Sequence, residues 1–439
     1  MSVVNIGLIG AGTVGSGVIK ILNQNKDIIE KRTGVRLNLK RIADNDPDRK
    51  RPVRLPKKKL TADANELIED ESIDIIIELV GGTKIAKDFV MGALENGKHV
   101  VTANKALLAH HGKAIFALAS KKGVEVGFEA SVGGGIPIIK SAQVGYAANN
   151  ILSIHGIMNG TSNYILSKMT DEGSEFDDVL KQAQDEGYAE ADPSFDIDGV
   201  DAAHKLSILI MLSFGIFLDF GKIHVEGIRG ITPLDISFAD ELGYKIKLLA
   251  IAKSRDTGIE AGVYPALVRK GTQLADVSDA FNAIYVVGDA VGPTMLYGMG
   301  AGMMPTASAV VSDAIQIAKE IGAKQKNSGS TYNSVPRFYD NTKTQPLIKM
   351  GETTNKYYLR FQAEDSPGVL GRITGCLGKH GISIESVIQK GRHLGGGDVP
   401  VVIMTHEARE KDLLSAIKET NSFLNNNSKT TFIRIEEVQ

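Results

Sequence analysis

Short apolar runs alternate with amphipathic stretches through the first 130 residues. The run at 73–80 is almost continuously apolar, as expected of a parallel strand that is covered on both faces. The stretches 86–96 and 105–122 repeat apolar residues every three or four positions, which is typical of helices. Strands are predicted at 3–9, 35–44, 73–80, 98–102 and 124–130. This alternation predicts an α/β fold with a Rossmann-type, doubly wound parallel sheet over 1–130.

The pattern changes at residue 131. Four further strands, together with several helical stretches, indicate an α+β domain over 131–305, which we expect to bind substrate and to pair subunits. These strands are predicted at 222–228, 244–254, 261–268 and 283–287. A strongly periodic helix at 306–322 is expected to complete the first domain.

The last part of the chain has a compact pattern of its own. Residues 323–352 show no clear period and are interpreted as a linker. Residues 353–439 then follow the order βαββαβ, which predicts a ferredoxin-like domain.

Composition narrows the class of protein. Of 439 residues, 50 are Lys or Arg and 52 are Asp or Glu, so the net charge of −2 argues against binding of nucleic acid by the whole chain. The longest apolar run, 206–218, is too short to cross a membrane, and the first residues lack the features of a signal peptide. The only cysteine, Cys376, excludes an intrachain disulfide and a zinc site built from cysteines. We therefore expect a cytoplasmic protein.

The segment GAGTVG at 10–15 follows a strand and opens a helix, which is the context of a dinucleotide-binding loop. Gly10 permits a tight turn, Gly12 lets the backbone approach a pyrophosphate, and Gly15 lets helix and strand pack closely. Ala11, Thr13 and Val14 complete the expected contact loop. The alternative is a glycine turn without a ligand.

The second strand ends at Asp44, 29 positions after Gly15. An acid at this place binds a ribose 2′-OH and repels a 2′-phosphate, which favours NAD. Many cations crowd the same region and suit that phosphate, although they also fit a solvated loop. They are Arg41, Arg49, Lys50, Arg51, Arg54 and Lys57–Lys59. NAD and NADP both stay open, and the balance favours NADP slightly.

A dense group of carboxylates precedes Lys205. Asp201 and Lys205 are four residues apart at the start of a helix, so both lie on one helix face at the edge of an apolar core. The carboxylates suit a substrate that carries an ammonium group; a helix cap or a surface salt bridge is the alternative. A calcium loop is excluded because the EF-hand spacing is missing. The carboxylates are Glu190, Asp192, Asp196, Asp198 and Asp201.

Lys105 directly follows the predicted strand at 98–102. In a doubly wound fold this position lies at the carboxyl edge of the sheet, close to a bound nicotinamide. The alternative is an exposed lysine at the start of a helix.

Six motifs occur in a specific order along the chain. They are GAGTVG, ELVGG, VTANKALLA, EASVGGGIP, NGTSNYIL and EGYAEADPSFDIDGVDAAHK. This set resembles the homoserine dehydrogenase family over about 3–321, and its carboxylate–lysine motif is the most specific part. Residues 353–439 resemble an ACT domain, a module that senses small molecules, with DSPGVL at 365–370 as its ligand turn.

The resemblance implies interconversion of L-homoserine and L-aspartate 4-semialdehyde with NAD or NADP. It implies that Lys205 is the acid/base at the substrate oxygen and that Lys105 aids proton transfer and placement. Glu190 and Asp201 would bind the substrate, with Asp196 nearby. Two glycines, Gly187 and Gly302, would approach the cofactor.

The family likeness also implies three features beyond catalysis. EASVGGGI resembles a loop that holds a structural sodium ion, with oxygens, mostly backbone carbonyls, from Glu129, Val132, Gly134 and Ile136. The ACT domain implies an amino-acid effector, with threonine expected, at Asp365, Gly368 and Val369. A homo-oligomer, a dimer or a tetramer, is expected.

Alternatives to this activity differ in how well the residues fit them. A semialdehyde dehydrogenase that forms a thioester needs a thiolate nucleophile, and Cys376 lies in the C-terminal domain at a position typical of a buried apolar residue. Another NAD(P)-dependent amino-acid oxidoreductase and a non-catalytic regulatory protein that binds the cofactor both stay open.

Overall fold

The computed structural model describes residues 2–46, 49–325, 345–390, 398–424 and 430–438. These residues form two compact units, and each unit is assembled from three stretches of chain. The first unit comprises Met1–Ile151, His204–Gly221 and Asn282–Thr344; the second comprises Leu152–Ala203, Lys222–Phe281 and Gln345–Gln439. Helices and strands are numbered below in chain order.

A six-stranded parallel sheet forms the centre of the first unit. Its strands are β1 (Ser2–Ile9), β2 (Val35–Ala43), β3 (Leu60–Thr61), β4 (Ile75–Glu78), β5 (His99–Thr102) and β6 (Val126–Gly127). They lie in the order β3-β2-β1-β4-β5-β6, with every pair parallel. The strand order reverses between β1 and β4, and ligands of doubly wound folds bind at the carboxyl ends of the strands at this point. The predicted Rossmann-type sheet is confirmed.

Helices cover this sheet, and one of them comes from far along the chain. The helices of the unit are α1 (Thr13–Gln24), α2 (Lys26–Thr33), α3 (Asn65–Ile68), α4 (Lys84–Glu95), α5 (Lys105–Lys122), α6 (Ile138–Lys140) and α12 (Met303–Gln325). The apolar face of α12 shares one core with β1 and α1. A Cβ at Gly17 on α1 would lie 2.7 Å from the carbonyl oxygen of Met303, so glycine permits the close approach of α1 and α12.

Two sequence expectations differ from the structure of the first unit. The strand predicted at 124–130 is limited to β6, because the chain turns into a short 3₁₀ segment at Glu129–Ser131. There the amide of Glu129 donates to Asp313 of α12 instead of to a neighbouring strand. The sequence also failed to predict β12 (Gly292–Met299), which pairs with β11 (Phe281–Gly288).

The second unit is built on a mixed sheet flanked by helices. Its strands are β7 (Ile151–Ile157), β8 (His224–Val225), β9 (Tyr244–Arg255), β10 (Gly258–Arg269), β13 (Thr354–Glu364), β14 (Ile384–Gln389), β15 (Asp398–Thr405), β16 (Ala408–Arg409) and β17 (Thr431–Glu436). Its helices are α7 (Gly160–Glu172), α8 (Phe176–Asp185), α9 (Ser194–Ile197), α11 (Pro233–Glu241), α13 (Val369–Lys379) and α14 (Glu410–Leu424), and α10 (Val200–Phe214) begins in it. The strand predicted at 222–228 is reduced to β8.

The C-terminal part has the predicted ferredoxin-like order. The order β17-β13-β15-β14 is antiparallel throughout, and α13 and α14 pack on it. In addition, β17 pairs parallel with β10, so this sheet continues directly into the sheet of the preceding segment. The four predicted domains, 1–130 with helix 306–322, 131–305, the linker 323–352 and 353–439, stay a prediction. Residues 326–344 of that linker lie outside the described residues.

Buried charges anchor β17 in the second unit. The carboxylate of Glu436, only 2% exposed, accepts hydrogen bonds from Lys253 at 2.7 Å and from the hydroxyl of Tyr264 at 2.9 Å. Arg434 is 1% exposed and donates to Glu410 and Glu226 at 2.7–2.9 Å. Removal of one partner from such a buried pair costs about 3–5 kcal/mol. The last strand is therefore held by charge pairs as well as by its backbone ladder.

A second anchor joins β13 to α11. Asp235 is fully buried and accepts bonds from Arg360 at 2.6 and 2.9 Å and from the hydroxyl of Tyr358 at 3.1 Å. The same carboxylate forms a capping box with Thr232 at the start of α11. One carboxylate thus fixes both a helix end and the first strand of the C-terminal domain.

No helix in the described part of the chain is long and apolar enough to cross a membrane.

We predict that Glu436→Gln makes the protein less sensitive to acid. Burial opposes ionisation of Glu436, yet Lys253 and His155 beside it lower its pKa from 4.5 to about 2. A lowered pKa stabilises the fold above the unfolded-state pKa, and this contribution is lost as the pH falls from about 4.5 towards 2. The contribution is about 3 kcal/mol, and urea unfolding at a series of pH values measures it.

The matched control is Glu437→Gln, because Glu437 is exposed and pairs with Lys356 at the surface. We expect the control to follow the wild-type pH dependence. An equally steep loss of stability in Glu436→Gln and wild type below about pH 4.5 would contradict the assignment.

Candidate active site

The three glycines of the GAGTVG loop meet different surroundings. Gly10 has a φ of +94°, and a Cβ there would lie 2.7 Å from the carbonyl oxygen of Leu79. At Gly15 a Cβ would lie 2.2 Å from the carbonyl oxygen of Gly10. At Gly12, in contrast, a Cβ would have no atom of the described residues within 4 Å. The fold itself requires Gly10 and Gly15, whereas Gly12 leaves open space at the start of α1, where a pyrophosphate fits.

Asp44 is tied to this loop. Its Oδ2 accepts the amide of Ala11 at 2.7 Å, and its Oδ1 accepts from Arg51 at 2.8 Å. Arg51 also donates to the carbonyl of Ala11 at 2.9 Å. Both side chains are nearly inaccessible to solvent, at 8% and 4%. The carboxylate therefore positions the glycine loop, and the guanidinium balances its charge.

Two neighbouring cavities open beside the loop. One, of about 230 Å³, is lined by Gly10, Gly12, Asp44 and Arg49 together with apolar side chains of β1 and α4. The other, of about 350 Å³, is lined by Arg49, Arg51, Lys57 and mostly apolar neighbours. The first has the place of an adenosine site at the end of β1 and β2. The second cavity brings cationic side chains next to that site.

Hydrogen bonds fix the carboxyl ends of β4 and β5. Glu78 is fully buried; its Oε2 accepts from Thr102 at 2.7 Å and its Oε1 from the amide of Val80 at 2.7 Å. Burial raises the pKa of Glu78, and these hydrogen bonds oppose the rise. Asn104 caps α5 by accepting from the amide of Leu107. The next residue, Lys105, is therefore the first residue of α5 and lies at the predicted edge of the sheet.

Helices α10 and α5 contact each other within the first unit. The ring of His204, on α10, lies edge-on to His110 of α5 with 5.5 Å between centroids, and it contacts Phe220 at 4.2 Å. His204 directly precedes the buried Lys205, and His110 lies five residues after Lys105, about 7.5 Å along α5. The early turns of two helices thus meet, and each carries one of the predicted catalytic lysines.

Asn159 joins two of the predicted carboxylates in the second unit. Its amide nitrogen donates to Asp196 at 2.7 Å and to Asp201 at 2.9 Å, while its oxygen accepts the amide of Ser162 and caps α7. Asp201 is only 3% exposed. Asn159 was not among the predicted site residues, although it lies in the NGTSNYIL motif. The only local signal was an Asn at a helix start, which predicts a cap and nothing more.

Other predicted site residues are less constrained. Glu190 is exposed. Gly187 and Gly302 have φ values of +80° and +111°, which favour glycine, and Gly302 directly precedes α12. The turn that holds Asp365 connects β13 to α13, where Gly368 is the helix cap at a φ of +92°. Val369 is the first residue of α13.

The predicted cation loop is buried. Gly133 and Gly134 adopt φ values of +70° and +54°, and a Cβ at Gly134 would lie 2.5 Å from the carbonyl oxygen of Gly300. The side chain of Glu129 accepts the amides of Ile139 and Lys140 at 2.8 and 3.0 Å. Because those amides use both carboxylate oxygens, this loop has mainly backbone carbonyls to offer a cation.

Sequence models of three protein families match the chain. They are described as "Homoserine dehydrogenase, NAD binding domain" over 10–129, "Homoserine dehydrogenase" over 137–315 and "ACT domain" over 357–423. A homoserine dehydrogenase from Neisseria gonorrhoeae is 45% identical over all of this chain and all of its own.

The chain belongs to the homoserine dehydrogenase family. Among solved structures, a homoserine dehydrogenase from Thiobacillus denitrificans matches at a TM-score of 0.90 and 43% identity, covering 99% of this chain and 98% of that one. A hyperthermophilic archaeal homoserine dehydrogenase in complex with NADPH matches at a TM-score of 0.60 and 27% identity, covering 72% of this chain and 98% of that one.

Family membership confirms the predicted fold class and activity. The chain is an NAD(P)-dependent oxidoreductase that interconverts L-homoserine and L-aspartate 4-semialdehyde, and its ACT domain indicates regulation by an amino acid. The roles of individual residues, the sodium ion, the effector and the oligomer stay predictions.

We predict that Asn159→Ser raises the KM for homoserine about tenfold. Serine keeps an acceptor for the cap of α7 but removes both amide donors, so Asp196 and Asp201 lose their shared partner. Steady-state kinetics with homoserine as the varied substrate measure the effect.

The matched control is Asn163→Ser on the same helix. The side-chain amide of Asn163 donates to the backbone carbonyls of Val277, Asp279 and Phe281 at 2.9–3.3 Å, and not to the two carboxylates. We expect this variant to lose stability with little change in KM. Equal KM values for the two variants would show that the bridge has no role in binding.

Proposed function

We propose that Lys205 is the acid/base at the substrate oxygen and that Lys105 assists the proton transfer and places the oxygen. The observation that supports this assignment is the contact between α5 and α10 through His110 and His204. It brings together the early turns of the two helices that carry these lysines. In addition, Lys105 directly follows β5, at the carboxyl edge where the nicotinamide of a doubly wound fold lies.

The chemistry needs one hydride and one proton. The nicotinamide cofactor supplies or accepts the hydride at C4 of the substrate. In the reduction of the semialdehyde, the ammonium of Lys205 donates a proton to the oxygen of C4 as the alcohol forms; in the oxidation of homoserine, neutral Lys205 accepts it. A second cation beside that oxygen, from Lys105, stabilises the developing alkoxide charge.

The carboxylates are assigned to the substrate. Asp201 and Glu190 bind the ammonium group of homoserine, with Asp196 close to it, and Asn159 holds Asp196 and Asp201 in place. Buried carboxylates are the natural partners of an ammonium group, because a charge removed from water needs a partner of opposite sign. Glu190 is exposed and therefore accessible to a substrate that arrives from solvent.

For the cofactor we favour NADP. Gly10, Ala11, Gly12, Thr13, Val14 and Gly15 form the pyrophosphate loop, and Gly187 and Gly302 approach the cofactor. Arg51 neutralises Asp44, which lowers the repulsion that this carboxylate would exert on a 2′-phosphate. Arg49 and Lys57 line the adjoining cavity. The NADPH held by the archaeal relative is in keeping with this choice.

We further propose that the loop 129–136 holds a structural sodium ion through oxygens of Glu129, Val132, Gly134 and Ile136. The donor set fits, because the loop is buried and two left-handed glycines turn its backbone sharply. Carbonyl oxygens are suitable ligands for a hard monovalent cation.

Regulation and assembly complete the proposal. Threonine is the expected effector, at the turn that includes Asp365, Gly368 and Val369. A homodimer is expected through the β11–β12 face, where two large apolar side chains of β12, Tyr297 and Met299, are more than half exposed. Exposed apolar side chains grouped on one strand are typical of an interface.

We predict that Lys205→Ala lowers kcat for homoserine oxidation by about 10²–10⁴, the usual contribution of a general acid/base. Lys205→Arg should lose a similar factor, because arginine keeps the charge but does not release its proton near neutral pH. The exposed Lys113→Ala on α5 is the control and should match wild type. Turnover of Lys205→Ala near the wild-type value would refute the assignment.

We predict that Arg49→Gln raises the Kd for NADPH about tenfold and leaves the Kd for NADH unchanged. A hydrogen bond to a charged phosphate contributes about 1.5–3 kcal/mol, and NADH lacks this group. Lys50→Gln is the matched control, because it changes the neighbouring cation, which lines neither cavity. Equal effects of Arg49→Gln on both cofactors would exclude a 2′-phosphate contact.

A further inference from the structure

Three side chains of metal-ligand type meet between the two helices of the C-terminal domain. Cys376 lies near the end of α13, His380 directly follows that helix, and Glu419 lies on α14. The thiol sulfur, one imidazole nitrogen and one carboxylate oxygen all lie within 4.8 Å of one another. Ligand atoms around one zinc ion lie roughly 3.5 Å apart, so rotations of side chains suffice to close the site.

The backbone that carries this cluster is well anchored. Cys376 and His380 are four residues apart and therefore share one helix face. The thiol of Cys376 contacts the carbonyl of Ala416 at 3.6 Å, one turn before Glu419 on α14. Leu377 and Ala416, beside the cluster, are fully buried in the core of the domain. Helix packing therefore sets the spacing of the three ligands independently of any ion.

The cluster is open on one side. Cys376 is 3% exposed, His380 is partly exposed and Glu419 is exposed. An ion can therefore arrive from solvent beside His380 and Glu419, and water can fill its remaining positions. The thiol, which lies deepest, would close the inner side of the coordination shell.

We propose that Cys376, His380 and Glu419 bind a single divalent transition-metal ion of the zinc type, with water as a further ligand. One thiolate, one imidazole and one carboxylate form a mixed set of soft and borderline ligands, which selects zinc or cobalt over magnesium and calcium. The single cysteine excludes a site built from cysteines alone, and this mixed set needs only one.

Charges around the cluster determine the affinity that we expect for a metal ion. The side chain of His380 is a hydrogen-bond partner of the Glu419 carboxylate. At 2.8 Å, Nε2 of His380 contacts this carboxylate, and an ion must take the place of that contact. Lys379 also lies near Glu419 and repels a cation. We therefore expect micromolar affinity, weaker than that of a closed structural zinc site.

Cobalt(II) titration of the full-length, untagged, reduced protein tests the proposal. Because the chain has one cysteine, a thiolate-to-cobalt charge-transfer band can come only from Cys376. We expect a band that saturates at one ion per chain and that zinc abolishes by competition. Cys376→Ser should lose the band, and His380→Ala and Glu419→Gln should weaken cobalt binding at least tenfold.

His406→Ala is the matched control, because it removes an exposed histidine of the same domain that is not part of the cluster, and it should keep the band. His380→Ala and Glu419→Gln change partly or fully exposed side chains, so the test does not depend on whether Cys376→Ser folds. Absence of the band in wild type, or a band of unchanged affinity in His380→Ala, would overturn the proposal.

Discussion

Helix α12 lies far along the chain from β1 and α1, yet it completes the core of the first unit. It packs against β1 and α1, and its Asp313 accepts the amide of Glu129 where the chain leaves the parallel sheet. Lys140 pairs with the same aspartate at 3.1 Å. The carboxylate of Asp313 therefore fixes two places. At Glu129 the chain leaves the nucleotide-binding core, and at α12 it returns to that core. The geometry of the glycine loop, of Gly302 and of the predicted cation loop depends on that return.

The glycines of the GAGTVG loop have two different roles, one in the fold and one at the ligand site. Gly10 and Gly15 are needed to let backbone segments approach one another, with or without a ligand. In the part of the chain that the structure describes, no atom lies close enough to Gly12 to exclude a side chain, so the space beside it is available to a ligand at the start of α1. Asp44 likewise has a part in the architecture, because it holds the amide of Ala11. A spacing rule that assigns this acid only to a ribose therefore omits its structural role.

The local sequence pattern was enough to predict much of the fold and part of the site. The apolar run of β4, the glycine motif and the helix at 105–122 each depend on residues close in sequence, and the structure has them at the predicted places. Asn159 was missed because its partners lie 37 and 42 residues away, and a single Asn has no periodic signature. Glu78 was missed because its role depends on the hydrogen bond that it accepts from Thr102 on the neighbouring strand. The local sequence around Glu78 does not reveal that bond. The strand β12 was missed because its exposed, glycine-containing sequence lacks the alternation that marks a half-buried strand.

The position of β17 between β10 and β13 sets an order of events during synthesis. This strand is synthesised after every other strand of the described residues, yet it pairs with a strand made about 170 residues earlier. Until then, β10 and Lys253, the partner of Glu436, lack their neighbour, and an unpaired strand edge is prone to association with other chains. A nascent chain of this enzyme therefore cannot complete its second sheet before β17 has been synthesised.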